Sequence, residues 1–362
     1  MSRETRRALV TIDARMLRSS GIGTCLRSLL PRVFSRLPDV RFCLLGDLAA
    51  LREQAFASDP RVELRSFGVG VYSALEQPSL SLAIPRDTRV FWAPHVNFPL
   101  LSPGRLLVTV HDAFYLNPPP DAVPRLDKRV YLGLLMRALP RRADAVLCDS
   151  DFTRRELLAG LGGFRASLHT VLNGVEPSWF EPPLCEPPQA KPYLLFVGNL
   201  KPHKNLPRTL EAFARIAADV PHDFILIGGG ANTFERQLPP HIAPRVRFLG
   251  AASNEVLRCH VAHASGLVLA SLYEGFGLPP VEAMALGVPV LVSRAASLPE
   301  VCADAALYCD PLDVGDIARG LSTLLADEPV RARLRTLGPA RARELDWERS
   351  ADRVSEVLAG LL

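Results

Sequence analysis

Short apolar runs alternate along the chain with longer segments in which apolar residues recur every three or four positions. The first half contains the runs ALVTID, RFCLLG, RVFWAP, LLVTVHD, AVLCDS and HTVLNG, and the second half contains YLLFVG, DFILIGGG, RVRFLG, GLVLAS and VPVLVS. Buried strands separated by helices are typical of parallel sheets. The pattern therefore predicts an α/β fold.

The alternation stops between residues 176 and 192, where EPSWFEPPLCEPPQAKP contains six prolines. This composition is typical of an extended, semi-rigid connector. A chain of 362 residues is also longer than one hydrophobic core usually serves. We therefore expect two Rossmann-like domains in tandem, over residues 1–180 and 190–345.

Composition is that of a folded protein, with 48% hydrophobic and 22% charged residues. No apolar run reaches the roughly 18 residues that a membrane-spanning helix needs, so we expect a cytoplasmic protein. The net charge of +4 is uneven, since residues 1–185 hold 24 basic and 18 acidic side chains. Basic and apolar positions in residues 124–144 indicate either a helix on an anionic membrane surface or the solvated face of a packed helix.

Seven cysteines are scattered singly, without a C-x-x-C pair or a histidine at zinc spacing. We interpret all seven as buried apolar residues rather than metal ligands. Their odd number fits a reducing compartment. They are Cys25, Cys43, Cys148, Cys185, Cys259, Cys302 and Cys309.

Two clusters in the first half follow predicted strands, where parallel sheets bind their ligands. Gly21 and Gly23 come after the strand that ends near Asp13, and they favour either an anion-binding helix start or a plain tight turn. His111 follows an apolar strand and precedes Asp112, so a functional and a structural role are equal alternatives. The G-x-G-x-x-G spacing of a dinucleotide site is absent, which argues against an NAD-dependent enzyme.

A third cluster follows the strand YLLFVG. Of the four lysines in the chain, Lys201 and Lys204 lie in this loop, together with Asn199 and His203. A helix is predicted to begin immediately afterwards, near Asn205. Cations beside a helix N-terminus suit a diphosphate, which needs both charge and backbone donors. A solvated basic loop is the alternative.

The fourth cluster is SLYEGFGLPPVE, which places Glu274 and Glu282 on either side of a glycine- and proline-rich turn. A helix is predicted from the turn to Gly287, so Glu274 precedes it and Glu282 lies about one turn inside it. Carboxylates accept hydrogen bonds from vicinal hydroxyls, which both ribose and hexose offer. The turn therefore suits a nucleotide-sugar pocket.

These motifs together resemble those of the retaining group 1 glycosyltransferases, family GT4. The stretch YEGFGLPPVEAMALGVPVLVSRAASLPEVCADAALYCDP is similar to the family signature, and its E-x7-E motif falls at Glu274 and Glu282. The segments TIDARMLRSSGIGT, VTVHD, ADAVLCDSDFTRRELL, VLNGVE and LLFVGNLKPHKNL match in the family's order. The resemblance covers essentially the full chain, and within the family it is strongest to bacterial mannosyltransferases of surface polysaccharides.

The resemblance implies a GT-B fold, in which two Rossmann-like domains with parallel sheets face an interdomain cleft. The first domain would bind the acceptor and the second the nucleotide sugar, and the last helix, residues 346–362, would cross back to the first domain. It implies three catalytic residues, which are Glu274, His111 and Lys204. It also implies a donor-binding set, which is Gly23, Asn199, Lys204, Glu274, Gly275, Phe276, Gly277, Leu278 and Glu282.

Each implied role follows the family motif. Glu274 would contact the donor sugar, Glu282 the ribose, and Lys204 the diphosphate. His111 would lie beside the reacting sugar. Many members carry arginine at the position of Asn199, so neutralisation of the diphosphate charge would be weaker here unless Lys201 or Arg208 compensates.

The last implications concern the reaction. We expect hexose transfer with retention of configuration. No metal or other cofactor is expected, since leaving-group stabilisation is electrostatic and no D-x-D metal site lies in the expected place of the sequence. GDP-mannose is the preferred donor, ahead of UDP- and dTDP-sugars, and the acceptor is a saccharide or a polyprenyl-linked oligosaccharide. A non-catalytic nucleotide-sugar-binding subunit and a glycogen-synthase-like polymerising enzyme are the alternatives. Nucleic acid is not an expected partner.

Overall fold

The structure is a computed structural model of the chain, and it describes residues 7–73, 75–123, 126–229 and 238–362. Contacts divide the chain into two compact units. The first comprises Met1–Pro118, Pro124–Asn173 and Trp347–Leu362, and the second comprises Pro119–Val123 and Gly174–Asp346. Each unit is an α/β layer with one parallel sheet, so the predicted fold class of two Rossmann-like domains is confirmed.

The first sheet has seven strands in the order β3-β2-β1-β4-β5-β6-β7. Every described pair is parallel. The strands are β1 (Leu9–Asp13), β2 (Arg41–Gly46), β3 (Val62–Ser66), β4 (Thr88–Ala93), β5 (Arg105–Val110), β6 (Ala145–Cys148) and β7 (Ser167–Thr170). All residues of β1 and β6 are buried, as expected for strands that helices cover on both faces.

Among the described residues, five helices that precede the connector in sequence connect or flank these strands. They are α1 (Gly21–Arg36), α2 (Leu48–Arg52), α3 (Glu76–Ala83), α4 (Leu126–Arg142) and α5 (Asp151–Leu161). Local chemistry sets several starts. Ser150, for example, caps α5 by accepting a hydrogen bond from the Thr153 N–H at 3.1 Å.

The second sheet has six parallel strands in the order β10-β9-β8-β11-β12-β13. The strands are β8 (Tyr193–Val197), β9 (Asp223–Ile227), β10 (Val246–Gly250), β11 (Gly266–Leu269), β12 (Val290–Ser293) and β13 (Leu307–Cys309). The helices are α6 (Leu206–Ile216), α7 (Asn254–Ala262), α8 (Leu278–Ala285), α9 (Leu298–Cys302), α10 (Val314–Ala326) and α11 (Glu328–Glu344).

The last helix, α12 (Trp347–Leu361), belongs to the first unit and packs on α1. Arg36 on α1 bridges two acidic residues of α12, with Nη2 2.8 Å from Glu348 Oε2 and Nε 2.5 Å from Asp352 Oδ1. The opposite face of α12 is apolar and buried, including Trp347 and Leu358. Among the described helices, none combines the length and the apolar composition needed to span a membrane.

The second unit begins at Gly174, whereas the sequence placed the end of the first domain at residue 180. Residues 174–180 group with the second unit because the Val175 N–H donates to Leu345 O at 2.9 Å and Trp179 is buried. The 3₁₀ turn Pro177–Phe180 packs against α8. Backbone pairing and an anchoring aromatic thus extend the unit into the proline-rich segment.

The cysteine prediction is correct for five residues and wrong for two. Cys25, Cys43, Cys148, Cys302 and Cys309 are free and buried. Cys185 and Cys259 instead form a disulfide across 74 positions of sequence, with Cα atoms 6.2 Å apart. Cys185 is exposed and Cys259 is half-buried, since the connector and the outer face of α7 lie at the surface of the second unit.

Candidate functional site

The second sheet reverses its strand order between β8 and β11. At such a switch point the loops that follow the two strands diverge and leave a crevice, where parallel sheets bind ligands. The loop after β8 carries Lys204, and the loop after β11 carries Glu274. The topology therefore brings together two residues that the sequence selected separately.

Lys204 and Glu274 are in direct contact. Lys204 Nζ donates to Glu274 Oε1 at 2.7 Å and to Oε2 at 2.9 Å. The two side chains are 13% and 9% exposed, so the ion pair is largely withdrawn from water. The Ser271 hydroxyl donates to the same Glu274 Oε1 at 2.6 Å. The carboxylate is thus held in one orientation by a cation and a hydroxyl.

Asn205 fixes the start of the helix that follows Lys204. It adopts the left-handed conformation, with φ of 57°, and is the N-cap residue of α6. Its side-chain amide donates to Ala270 O at 2.9 Å and to Pro311 O at 2.7 Å. Because these carbonyls follow β11 and β13, the side chain ties the lysine loop to the ends of two other strands.

Arg208 completes this arrangement. Its Nη1 donates to Asn205 Oδ1 at 3.1 Å, and its Nη2 lies 2.8 Å from Asp121 Oδ2. Asp121 belongs to the short segment that groups with the second unit. The guanidinium is therefore already engaged by two oxygens. Arg208 is therefore not an unpaired cation that could compensate for Asn199, where many family members carry arginine.

Asn199 and Lys201 are exposed residues of the same loop. Neither side chain has a hydrogen-bond or ion-pair partner within the described parts of the chain. His203, between them and the helix, has its pKa lowered to about 4 by burial and by the neighbouring Lys204. The loop therefore carries its positive charge on lysine, while His203 is neutral near pH 7.

The turn between Glu274 and α8 contains the four residues whose backbone is predicted to contact the donor sugar. Gly277 is the N-cap residue of α8, with φ of 101°, a conformation that glycine adopts without steric cost. Pro279 and Pro280 follow at the start of the helix and have no N–H. The residues of this turn that carry a backbone N–H are therefore Gly275, Phe276, Gly277 and Leu278, and their contact with a sugar stays a prediction.

Ser297 stabilises the turn through its hydroxyl group. Its hydroxyl lies 2.9 Å from Glu274 O and 3.1 Å from Phe276 O, and the side chain is buried. Phe276 is also buried. Sequence reasoning missed Ser297, although its position just after a strand of the parallel sheet was a usable signal.

Glu282 lies inside α8, one turn past the N-terminus. Burial raises the pKa of its carboxyl to about 7. No ion pair or hydrogen bond to this carboxyl occurs among the described residues. Near neutral pH, the Glu282 carboxyl can therefore accept a hydrogen bond from a hydroxyl or donate one to it. The Glu274 carboxylate, in contrast, is already paired with Lys204.

His111 lies in the first unit, directly after β5. Its Nδ1 is 2.7 Å from Asp149 Oδ2, and its Nε2 is 2.7 Å from Pro94 O. Burial alone would lower the pKa of His111, but the Asp149 charge and both hydrogen bonds raise it to about 9. Asn173 donates to the same Asp149 oxygen at 2.9 Å. His111 is therefore a doubly hydrogen-bonded imidazolium.

Gly23 lies within the first turn of α1 rather than in a loop before it. A Cβ at this position would lie 2.5 Å from Leu17 O, so only glycine permits the close approach of the preceding loop. Arg27 Nη1 donates to the same Leu17 carbonyl at 2.5 Å. The glycine thus shapes the segment that enters α1. Its predicted contact with a phosphate stays a prediction.

A buried charged network in the first unit was not predicted. Asp13 ends β1, and Arg15 Nη2 lies 2.6 Å from Asp13 Oδ2 and 2.8 Å from Glu76 Oε1. His95, which follows β4, lies 3.2 Å from the same Asp13 oxygen. Burial would raise the pKa of Asp13, but His95 and Arg15 hold it well below its usual range. These residues lie at the switch point of the first sheet, between β1 and β4.

Comparison with known proteins agrees with this architecture. Residues 184–341 match the family of glycosyl transferases group 1. The chain is 30% identical to the O-antigen chain mannosyltransferase B of Escherichia coli over 262 residues, which is 67% of each chain. It is 29% identical to the O-antigen chain mannosyltransferase RfbU of Salmonella typhimurium over 60% of each chain.

Solved structures with the same fold cover nearly the whole chain. A sucrose-phosphate synthase from Thermosynechococcus elongatus superposes with a TM-score of 0.77 at 18% identity, over 98% of this chain and 99% of that one. WaaG, a glycosyltransferase involved in lipopolysaccharide biosynthesis, superposes with a TM-score of 0.74 at 15% identity, over 97% and 100%. HepE of Anabaena, solved with UDP and glucose, gives 0.74 at 17% identity over 98% and 100%. These structures show the GT-B fold. The 30% identity to O-antigen chain mannosyltransferase B, together with the family match, shows that the chain belongs to the group 1 glycosyltransferases.

Proposed function

We propose that this protein is a retaining, metal-independent hexosyltransferase that moves mannose from GDP-mannose to a saccharide or a lipid-linked oligosaccharide in polysaccharide biosynthesis. The observation that carries the proposal is the buried contact of Lys204 with Glu274 at the switch point of the second sheet. It brings a cation suited to a diphosphate next to a carboxylate suited to sugar hydroxyls. The O-antigen mannosyltransferases among the relatives favour mannose.

In this proposal the donor lies across the loop after β8 and the turn before α8. Lys204 and the N-terminus of α6 stabilise the charge that develops on the leaving diphosphate. Glu274 and the amides of residues 275–278 hold the sugar, and Glu282 accepts a hydrogen bond from the ribose. Donor binding draws Lys204 partly away from Glu274, so both groups exchange an internal partner for the ligand.

The same proposal gives His111 an electrostatic role. Because both ring nitrogens donate to acceptors of the first unit, the imidazolium is fixed in orientation. It contributes positive charge at the carboxyl end of β5 rather than a mobile proton. The first unit binds the acceptor, whose hydroxyl attacks the sugar from the face that the diphosphate leaves.

The test is release of nucleoside diphosphate from a panel of GDP-, UDP- and dTDP-sugars in the presence of EDTA. We expect turnover with GDP-mannose, a loss of at least about 100-fold in Glu274→Gln, and no loss in Glu211→Gln. Glu211 is an exposed residue of α6 and is the matched control. Turnover that needs a divalent cation would contradict the metal-independent mechanism, and selective turnover of a UDP- or dTDP-sugar would reassign the donor.

Binding of every donor without turnover would favour the alternative of a non-catalytic nucleotide-sugar-binding subunit. One feature of the lysine loop favours this alternative. Asn199 stands where an arginine is common in the family, and the nearby Arg208 is engaged by Asn205 and Asp121. Adding acceptor oligosaccharide to the same assay separates this outcome from a missing acceptor.

We also propose that α4 contacts an anionic membrane surface, at the cytoplasmic face where a lipid-linked acceptor would lie. Leu126, Val130 and Leu134 recur every four residues and are 74%, 53% and 61% exposed. The other face of α4 packs into the unit through Leu132, Met136 and other buried residues. The exposed basic residues of the same helix are Lys128, Arg129, Arg137, Arg141 and Arg142. An exposed apolar stripe among cations is the pattern of interfacial helices.

Flotation with vesicles of phosphatidylglycerol and with vesicles of phosphatidylcholine tests this contact. We expect binding to the anionic vesicles only, lost in Leu134→Glu and retained in Leu312→Glu. Leu312 is 62% exposed in the second unit and is the matched control. Equal flotation of both variants, or none for the wild type at low salt, would contradict the contact.

A further inference from the structure

The disulfide between Cys185 and Cys259 joins two structural elements of the second unit. Cys185 lies in the proline-rich connector before β8, and Cys259 lies on α7. The connector is already held against α7, because Arg258 Nη2 donates to Glu181 O at 2.9 Å and also to Ser178 O. Contacts other than the disulfide therefore also hold the connector next to α7, which keeps the two sulfurs close together.

Accessibility separates these two cysteines from the others. Cys185 is exposed and Cys259 is half-buried, whereas all five remaining cysteines are buried. Burial also raises the pKa of the Cys148, Cys302 and Cys309 thiols to about 12. Thiol oxidation requires access and thiolate character, so it is confined by the fold to one pair.

The geometry around Cys259 suits a thiol as well as a disulfide. Its sulfur lies 3.4 Å from Glu186 O, where a thiol S–H can donate a hydrogen bond. His263 Nδ1 lies 4.0 Å from the same sulfur, one helical turn further along α7. Reduction therefore leaves the Cys259 thiol with polar partners in place, and the Arg258 contacts still hold the connector against α7.

We propose that Cys185 and Cys259 are a reversible thiol–disulfide site, oxidised by a low-molecular-weight disulfide such as glutathione disulfide. The exposed Cys185 thiolate attacks the glutathione disulfide, so a protein–glutathione bond forms and one glutathione thiolate leaves. The Cys259 thiolate then attacks Cys185 and expels the second glutathione. The two cysteines lose two electrons and two protons in total, and one glutathione disulfide becomes two thiols.

Oxidation links the connector covalently to α7. The bond closes a loop across 74 positions of sequence, which contains β8, α6, β9 and β10. A cross-link of this span restricts the unfolded chain, so the oxidised second unit is the more stable form. Neither cysteine belongs to the proposed donor site, so the inference stands or fails independently of the transferase activity.

The experiment uses the full chain, reduced with dithiothreitol, desalted, and equilibrated over a range of glutathione to glutathione disulfide ratios. Alkylation under denaturing conditions followed by mass spectrometry counts the free thiols. We expect the oxidised protein to lose two of its seven alkylatable cysteines, to yield a linked Cys185–Cys259 peptide, and to show a Tm about 5 °C above that of the reduced protein.

Two variants make the test specific. Cys259→Ser should lack both the linked peptide and the redox-dependent Tm shift, while Leu184→Ser, at the exposed neighbour of Cys185, should retain them. Failure to form the link at any glutathione ratio would overturn the proposal. Tight retention of Zn²⁺ by the reduced protein, with Cys185 and Cys259 protected from alkylation, would also overturn it and assign a metal site with His263. Donor turnover of Cys259→Ser in reductant should equal that of the wild type.

Discussion

Lys204 Nζ lies within 2.9 Å of both carboxylate oxygens of Glu274, and neither side chain is more than 13% exposed. The two residues are 70 positions apart in sequence. Each is the counter-ion of the other at the switch point of the second sheet. A ligand that binds there must therefore offer both a negative group for the lysine and donors for the glutamate, which a sugar diphosphate does.

The first prediction concerns the energy of this ion pair. Removing one partner leaves a buried charge without compensation, so Lys204→Met and Glu274→Gln should each lower the free energy of unfolding by about 3–5 kcal/mol. The double variant should lose clearly less than the sum of the two. Urea unfolding of the four proteins in a double-mutant cycle measures the coupling.

Arg215 and Glu211 provide the control pair for that cycle. They form an ion pair on α6 with side chains 53% and 57% exposed. Their removal should cost less than about 1 kcal/mol, since exposed pairs are screened by water. Additive effects at Lys204 and Glu274 would contradict the interpretation of the contact as a buried pair.

The second prediction concerns Glu282 and pH. The pKa of its carboxyl is raised by burial from 4.5 to about 7, so the folded protein retains a proton that the unfolded chain has released. The contribution of the Glu282 carboxyl to the free energy of unfolding is most favourable below pH 4.5. It is lost as the pH rises to about 7, with a slope of up to about 1.4 kcal/mol per pH unit. We expect the difference in unfolding free energy between wild type and Glu282→Gln to follow this slope.

Measurements of urea unfolding from pH 4 to pH 8 give that difference directly. Glu211→Gln, which changes an exposed carboxylate of α6, should give a curve parallel to the wild type. A parallel curve for Glu282→Gln as well would show that the Glu282 carboxyl is not desolvated.

The third prediction concerns His111 and Asp149. The folded pKa of His111, about 9, exceeds the ordinary 6.5, so the stabilisation is fully present below pH 6.5 and is lost as the pH rises through about 9. In Asp149→Asn the burial of the ring remains without the compensating charge, so the pKa of His111 should fall from about 9. Nitrogen-15 NMR of the imidazole distinguishes the imidazolium from the neutral ring.

His169 provides an internal reference for this titration. It is less buried, and its pKa is lowered by burial and by Arg353. It should titrate below pH 6.5 in both the wild type and Asp149→Asn. An unchanged His111 titration in Asp149→Asn would mean that Asp149 does not hold the proton on the ring.

The fourth prediction concerns the charged network of the first unit. Arg15 is the cation between two carboxylates, Asp13 and Glu76, which are both fully buried. Arg15→Met should lower the free energy of unfolding by about 3–5 kcal/mol or prevent folding. Arg18→Met removes an exposed pair with Glu53 and should cost less than about 1 kcal/mol. Urea unfolding measures the free energy of both variants. Equal losses in the two would contradict the conclusion that the buried network stabilises the first unit.

Residue pattern alone predicted the elements that carry the candidate site. The apolar runs identified the parallel strands, and the position of Lys204, Glu274 and His111 just after such runs predicted that they lie at strand ends. The motif resemblance identified the family. These inferences depend on local patterns and on spacing, which are readable along one chain.

The partners that these residues contact could not be predicted from the sequence. The contacts between Lys204 and Glu274, His111 and Asp149, Arg15 and Glu76, and Cys185 and Cys259 join residues 70, 38, 61 and 74 positions apart. None has a periodic or motif signal that names its partner. Even the buried Glu76, the first residue of α3, lies in a segment whose sequence gave no interpretable pattern.

Sequence by itself therefore determined the α/β fold, the family and the strand-end positions of the candidate residues, because alternating hydrophobicity and loop motifs are local properties. Only the tertiary structure decided which charges are paired, which cysteines are reachable and which carboxyl is desolvated. Those properties depend on strand order and on the paths of loops, which bring distant segments into one low-dielectric site where pairing and burial set the charge of each group.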